Sequence, residues 1–313
     1  MRTVRVAIVQ ARPPGGGIDA GVDALCAHIA EAAEQGARVI ACGETFLPGY
    51  PAWLDACPGA ALWDHGPTQR VFERYRRDSL VVPGPHTARI ADAARRARAV
   101  VVVGASERVE RGPGNRTLFN TLLTFTPDGL LARHHRKLVP TYTERLVWGP
   151  GDGAGLEPVR ADLDEAGAVS IGSLICWEHW MPGARQAMHD HGEDIHIAVW
   201  PTAHERHQLA SRHYAFEGRC FVLAVGQVMP AADLPPELER GDAEGLVLRG
   251  GSAVIAPDAS YLVEPVADDE RIIVADLDLA AIDRASMTLD VSGHYARPDV
   301  FGFSVDRSRR PSS

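Results

Sequence analysis

Aromatic residues are scarce in this 313-residue chain, at 6%, and cysteines number only five. Cys26, Cys42, Cys57, Cys176 and Cys220 are odd in number and widely spaced, with no CxxC pair, which suggests neither a disulfide framework nor a zinc knuckle. A basic surplus is missing too. Asp and Glu outnumber Lys and Arg by 41 to 32, and the net charge of -9 leaves nothing to neutralise phosphates, so no nucleic-acid partner is expected. The longest apolar runs, such as AVVVVGA at 99–105, are too short to cross a bilayer, so no membrane partner is expected. The stretch MRTVRVAIVQ enters a strand-like pattern almost at once, without a signal-peptide layout, and a cytoplasmic location is expected. HExxH is absent, and His204 and His207 lack a third ligand at short spacing, so no metal is expected. GPGDG at 149–153 lacks the lysine and Ser/Thr of a phosphate loop.

What the chain does have is 45% hydrophobic residues and a recurring pattern of β-branched runs. Runs at 4–10, 37–44, 99–107, 118–126 and 168–176 read as strands, as do those at 194–200, 220–228, 251–257 and 271–278. Ala-rich segments with helical periodicity lie between several of them, at 18–35, 87–98 and 206–218. This alternation predicts an α/β protein with buried strands. LFNTLLTFTPDGLLARHHRK and GSAVIAPDASYLVEP each read as strand, Pro-Asp turn, strand. A hairpin in each half suggests two sheets packed face to face with helices outside. No linker divides the chain, so a single domain over 1–305 is expected, with 306–313 (DRSRRPSS) a disordered tail.

Three positions invite chemistry. Cys176 closes the run AVSIGSLIC and is followed by WEHWMP, where Pro182 is placed to open a helix. A strand–turn–helix junction presents its turn residue, as several hydrolases present a nucleophile. Taken alone, a strand-end cysteine reads rather as an inert buried hydrophobe, and a free thiol of pKa about 8.5 needs a basic or cationic neighbour to react. Glu44, after the run RVIAC, sits where α/β sheets place their sites; alone it reads as a loop or capping carboxylate. Lys137 ends the first hairpin, where Arg133 and Arg136 read as a solvated basic strand end. Turned inward, that lysine would stabilise developing negative charge.

Together, Glu44 in GETFLPGYP, Lys137 in HRKLVPTYTERLVWGPGDG and Cys176 in GSLICWEHWMP resemble the motif blocks of the nitrilase superfamily of carbon–nitrogen hydrolases. The resemblance spans nearly the whole chain. CWEH and DVSGHYARPDVF (290–301) resemble the true nitrilase branch. It implies an α-β-β-α sandwich, a Glu44–Lys137–Cys176 triad assisted by Glu144, and conversion of a nitrile to acid and ammonia through a cysteine thioimidate and thioester. It implies no cofactor, and a homodimer or larger homo-oligomer. Trp177 would offer its N–H to developing negative charge, with Glu178 and His179 tuning or anchoring the nucleophile. Tyr50, Trp53, Tyr142, Trp177 and Trp180 are candidates for the substrate wall, and 52–66 for an active-site or interface loop. An amidase or carbamoylase, a cyanide hydratase and a catalytically silent scaffold protein remain alternatives.

Overall fold

The computed structural model describes residues 2–112 and 114–309. Strand β1 (Thr3–Gln10) leads through helix α1 (Ile18–Glu34) to β2 (Val39–Cys42). Helices α2 (Trp53–Ala56), α3 (Gly66–Arg77) and α4 (Pro85–Ala97) follow, then β3 (Val100–Arg108) and the hairpin β4 (Leu118–Phe125)–β5 (Leu131–Arg136). The second part runs β6 (Val159–Asp162), β7 (Ala168–Ile175), α5 (Pro182–His189), β8 (Ile195–Val199), α6 (Glu205–Gly218) and β9 (Phe221–Val225). Strands β10 (Val228–Pro230), β11 (Leu246–Ile255), β12 (Tyr261–Ala267) and β13 (Arg271–Asp278), then helix α7 (Ala280–Ser286), complete it.

One sheet has the order β13-β1-β2-β3-β4-β5; the other runs β10-β11-β9-β8-β7-β6, with β12 paired to β11. Both expected hairpins are present, as β4–β5 and β11–β12. Pairing follows the connections. Strands joined through helices, such as β7 to β8 and β8 to β9, are parallel, while the short Pro-Asp turns give antiparallel pairs.

Alternation along each strand splits the core. Val4, Val6 and Ile8 of β1, with Val39, Ala41, Val100 and Val102, join the cluster that contains β7, β8 and β9. Ala7 and Val9, with Ile40, Val101 and Val103, pack instead with Val22, Leu25 and Ile29 of α1 and Ile90 of α4. Ala184 and Met188 of α5 and Ala210 and Tyr214 of α6 belong with the second sheet. The layers are therefore helix, sheet, sheet, helix. Strands covered on both faces read as unbroken apolar runs.

One pairing lies beyond the sequence reading and two features depart from it. Strand β13, the last run in sequence, lies antiparallel to β1 in the first sheet. Arg133 and Arg136 are buried rather than solvated: Arg133 donates to Ser173 and to the Gly155 carbonyl, and Arg136 pairs with Glu107. In the tail, Arg307 and Arg309 reach the Leu156 and His134 carbonyls, so residues 306–309 lie against the body, and 310–313 lie outside the described residues.

Candidate active site

Three strand ends converge on the site. Strand β2 stops at Cys42, β5 at Arg136 and β7 at Ile175, and the residues just beyond are Glu44, Lys137 and Cys176. Glu44 and Lys137 are at most 1% exposed, and Cys176 is 4% exposed. Lys137 Nζ donates to Glu44 Oε1 at 2.8 Å and to Glu144 Oε2 and Oε1 at 2.7 and 3.0 Å. A carboxylate oxygen of Glu44, one of Glu144 and the Cys176 sulfur lie within 4.8 Å of one another. Those donors are spaced as a metal-ligand set would be, but the Lys137 ammonium, bonded to both carboxylates, already supplies the positive charge there.

Glu144 lies in a 3₁₀ turn, Tyr142–Leu146, and its carboxylate is fixed by the Thr141 N–H at 2.8 Å and the Tyr50 hydroxyl at 2.9 Å. Glu44 Oε1 also accepts from Asn120 Nδ2 at 2.7 Å, while Glu44 Oε2 is buried with no hydrogen-bond partner among the described residues. A buried carboxylate with one bare oxygen is a ready proton acceptor.

Cys176 opens a second 3₁₀ turn, Cys176–Trp180, in the left-handed region at φ 51. A non-glycine residue held there costs about 1–3 kcal/mol, so its surroundings must hold it. Glu178 contributes by accepting from the Ile175 N–H at 2.7 Å, the Leu138 N–H at 2.8 Å and His135 at 2.9 Å. One carboxylate thus ties the Cys176 turn to the loop that carries Lys137. His179 Nδ1 meets the Cys176 carbonyl at 2.7 Å.

Electrostatics set the resting protons. Burial, reinforced by Glu44, pushes the Cys176 thiol well above its ordinary value; Lys137 and the Trp177 N–H pull the other way. Burial alone would lower the Lys137 ammonium, yet Cys176, Glu44 and Glu144 hold it above its ordinary value. Burial pushes the Glu44 carboxyl up to about 7, against the pull of Lys137. The resting thiol is neutral, and a base tuned near neutral pH adjoins it.

A cavity of about 440 Å³ opens onto Cys176. Tyr50, Trp177, Pro201, Val247 and Leu248 give it apolar wall, and Thr141, Glu144, Thr202, His204 and His207 give it polar wall. Among the expected wall residues, Tyr50 and Trp177 line it, whereas Trp53, Tyr142 and Trp180 do not. Trp53 is buried in a separate apolar cluster and borders a larger cleft, of about 700 Å³, that contains none of Glu44, Lys137 and Cys176. Tyr142 is 81% exposed and Trp180 42% exposed. Of the segment 52–66, Ala52, Asp55 and Ala56 reach the cavity; Leu62 and Trp63 are exposed away from it.

Sequence reasoning passed over Asn120, Gln227 and His135. Gln227 donates to the Glu44 carbonyl, and a Cβ on Gly43 would lie 2.4 Å from its side chain. Both Asn120 and Gln227 stand in largely apolar runs, LFNTLLTF and FVLAVGQV, and a lone amide in a buried run is itself a signal of a polar partner.

The carbon-nitrogen hydrolase family model matches residues 5–286. The chain belongs to the carbon–nitrogen hydrolase family. It is 39% identical to an aliphatic nitrilase from Sinorhizobium fredii (strain HH103), over 98% of this chain and 96% of that one. It is 37% identical to a nitrilase from Paraburkholderia phymatum, over 99% and 89%. The fold matches that of a carbon-nitrogen hydrolase from Helicobacter pylori G27 with a TM-score of 0.71 at 18% identity, over 96% and 100%. These relatives put this carbon–nitrogen hydrolase within the nitrilase superfamily.

Proposed function

We propose that this enzyme is a nitrilase that hydrolyses a small organic nitrile to a carboxylic acid and ammonia. The observation that carries the reading is the buried Glu44–Lys137–Glu144 group packed around the Cys176 sulfur. Near-full-length similarity to proteins named nitrilase supports it.

In this reading Glu44 takes the Cys176 thiol proton as sulfur attacks the nitrile carbon. One π bond of C≡N opens, and the nitrogen takes a proton delivered through Glu44 or Lys137, giving a thioimidate. Glu44 next deprotonates a water whose oxygen adds to that carbon. The nitrogen gains further protons and leaves as ammonia, so a thioester remains. A second water, again deprotonated by Glu44, displaces the sulfur, which recovers its proton as the acid departs. Lys137 and the Trp177 N–H stabilise the negative charge that develops in the addition steps. Glu144 holds Lys137 between two carboxylates, and Glu178 and His179 fix the turn. No organic cofactor or metal takes part in these steps. An amide would enter at the tetrahedral stage, which makes amides the necessary control.

The same reading takes the chain as one catalytic domain in a cytoplasmic location, supported by β13 pairing with β1 and by five unpaired cysteines. It includes a homodimer, supported by exposed Leu209 and Phe216 one heptad apart on α6; size-exclusion chromatography tests it. Ammonia release from aliphatic, aromatic and arylacetonitriles, beside their amides, tests the activity. Wild type is expected to release ammonia from nitriles and Cys176→Ala from none. Release from amides alone would move the enzyme to the amidases, and activity surviving in Cys176→Ala would sink the mechanism.

A further inference from the structure

Next to the nucleophile turn the molecule buries a second polar cluster that the reaction steps do not use. Besides meeting the Cys176 carbonyl through Nδ1, His179 brings Nε2 to 3.0 Å from Nε2 of His196 on β8. His196 Nδ1 lies 2.8 Å from Glu193 Oε1, in the loop before β8, and the Tyr214 hydroxyl on α6 donates to Glu193 Oε2. His179, His196 and Tyr214 are at most 1% exposed and Glu193 6%. The rings are clamped: His196 stacks on Tyr214 at 3.7 Å between centroids, and His179 lies 4.8 Å from Trp200.

Hydrogen-bond accounting fixes how many protons this chain holds. The Cys176 carbonyl can only accept, so His179 Nδ1 carries a proton. Two imidazole nitrogens 3.0 Å apart need one proton between them, because two facing lone pairs repel. The His196–Glu193 contact needs a third. Two neutral imidazoles supply two of the three, and the last belongs to the carboxyl or to an imidazolium. The two histidines and Glu193 are therefore net neutral as a set. Burial pushes the His196 imidazolium down while Glu193 supports it, and His196 pulls the Glu193 carboxyl below its ordinary value against burial; the last proton is therefore required by the hydrogen-bond geometry, and whichever of the two groups holds it, the count is unchanged. The other charged or titratable groups facing the set include Glu178 and Arg185 beside His179, Arg133 from β5, His189 from α5 and the Cys220 thiol just before β9.

We propose that Tyr214, Glu193 and His196 are positioning residues for Cys176. By keeping a proton between the two Nε2 atoms, they lock His179 in the tautomer that donates to the Cys176 carbonyl. That bond holds the left-handed turn and, with it, the directions of the thiol and the Trp177 N–H. In the other tautomer a bare Nδ1 would face the carbonyl, and the turn would relax. Only the rate readout rests on the nitrilase reading.

The test separates the two ends of the imidazole. An asparagine amide can donate near the Nδ1 position and a glutamine amide near Nε2, so His179→Asn keeps the bond to Cys176 and His179→Gln loses it. His179→Gln is expected to lower kcat about 10²-fold, the scale of a misplaced reacting group, with KM nearly unchanged. His179→Asn is expected to recover most of that loss. Alkylation of Cys176 by iodoacetamide, with Cys176→Ala as blank, should slow and recover in the same order. Nitrogen-15 NMR of wild type at neutral pH should find a proton on Nε2 of one of the two histidines, and Tyr214→Phe tests the far end without emptying the core. Equal losses in both His179 variants, no loss in His179→Gln, or two unprotonated Nε2 atoms would overturn the proposal. A wild type that hydrolyses no nitrile would overturn the nitrilase reading instead, while alkylation and NMR still decide this one.

Discussion

Glu44 is where residue chemistry and function meet. In the proposed reaction its carboxyl, raised by burial to about 7, must be ionised to accept the thiol proton. Below that value the carboxylate fraction falls, so kcat/KM is expected to drop about tenfold per pH unit on the acid side. The hydrogen bond from Asn120 favours the ionised form. Asn120→Ala should therefore move the acid limb to higher pH, and the pH–rate profiles of the two proteins check both statements. An unchanged limb in the variant would mean that another group governs it. Lys137 plays the complementary part, since its ammonium offsets the repulsion between two carboxylates that burial alone would not allow to coexist ionised.

At the scale of elements, the site depends on how strands end rather than on the strands themselves. Leaving β2, the chain must pass close to β3, and Gly104 on β3 allows it: a Cβ there would lie 2.3 Å from the Gly43 carbonyl and 2.5 Å from the Thr45 nitrogen. Both neighbours are backbone and cannot swing aside. Gly104→Ala is expected to cost roughly 1–3 kcal/mol and to lower kcat as well, because the displaced segment carries Glu44. Thermal melting and steady-state kinetics on the same preparation check it; lost stability with kcat intact would separate this loop from catalysis. The second sheet is tied in by another device. The Arg133 guanidinium bonds Ser173 on β7 and the Gly155 carbonyl from its place on β5, and Glu178 joins the β7 turn to Leu138. Lys137 and Cys176, on different sheets, are thereby held in register.

Across the whole molecule, burial of ionisable groups makes stability depend on pH. Burial and His196 depress His179 to about 3, and burial depresses His207 to about 4. The unfolded chain takes up protons at such histidines below about 6.5, so native stability falls as pH drops from there. Burial alone would raise Glu178 and Glu107, but His135 and backbone N–H groups hold the first at about 2, and His134 and Arg136 the second. Their contribution, on the order of 3 kcal/mol each, is present above about 4.5 and lost as pH falls towards 2. Glu44 opposes this trend, since its raised carboxyl favours the folded state at low pH. Denaturant unfolding across pH should show stability declining from about 6.5 and more steeply below about 4.5. A flat profile between these values would contradict neutral buried histidines.

Much of this was legible in the chain alone. Apolar runs with a period set by burial on both faces predict the strands, Pro-Asp turns predict both hairpins, and the order and flanks of Glu44, Lys137 and Cys176 point to the family. These are local signals, carried by neighbouring residues. Tertiary structure decided what depends on partners far apart in sequence. Strand β13 pairs with β1, at the other end of the chain; Arg133 is buried, because its partners Ser173 and Gly155 are distant in the chain; Trp53 and Tyr142 turn away from the cavity that Tyr50 and Trp177 line. The proton on Glu44 belongs to this second group as well. Side-chain identity sets a carboxyl's ordinary value, but the low-dielectric surroundings and the charges brought within a few ångströms of it exist only once the chain has folded.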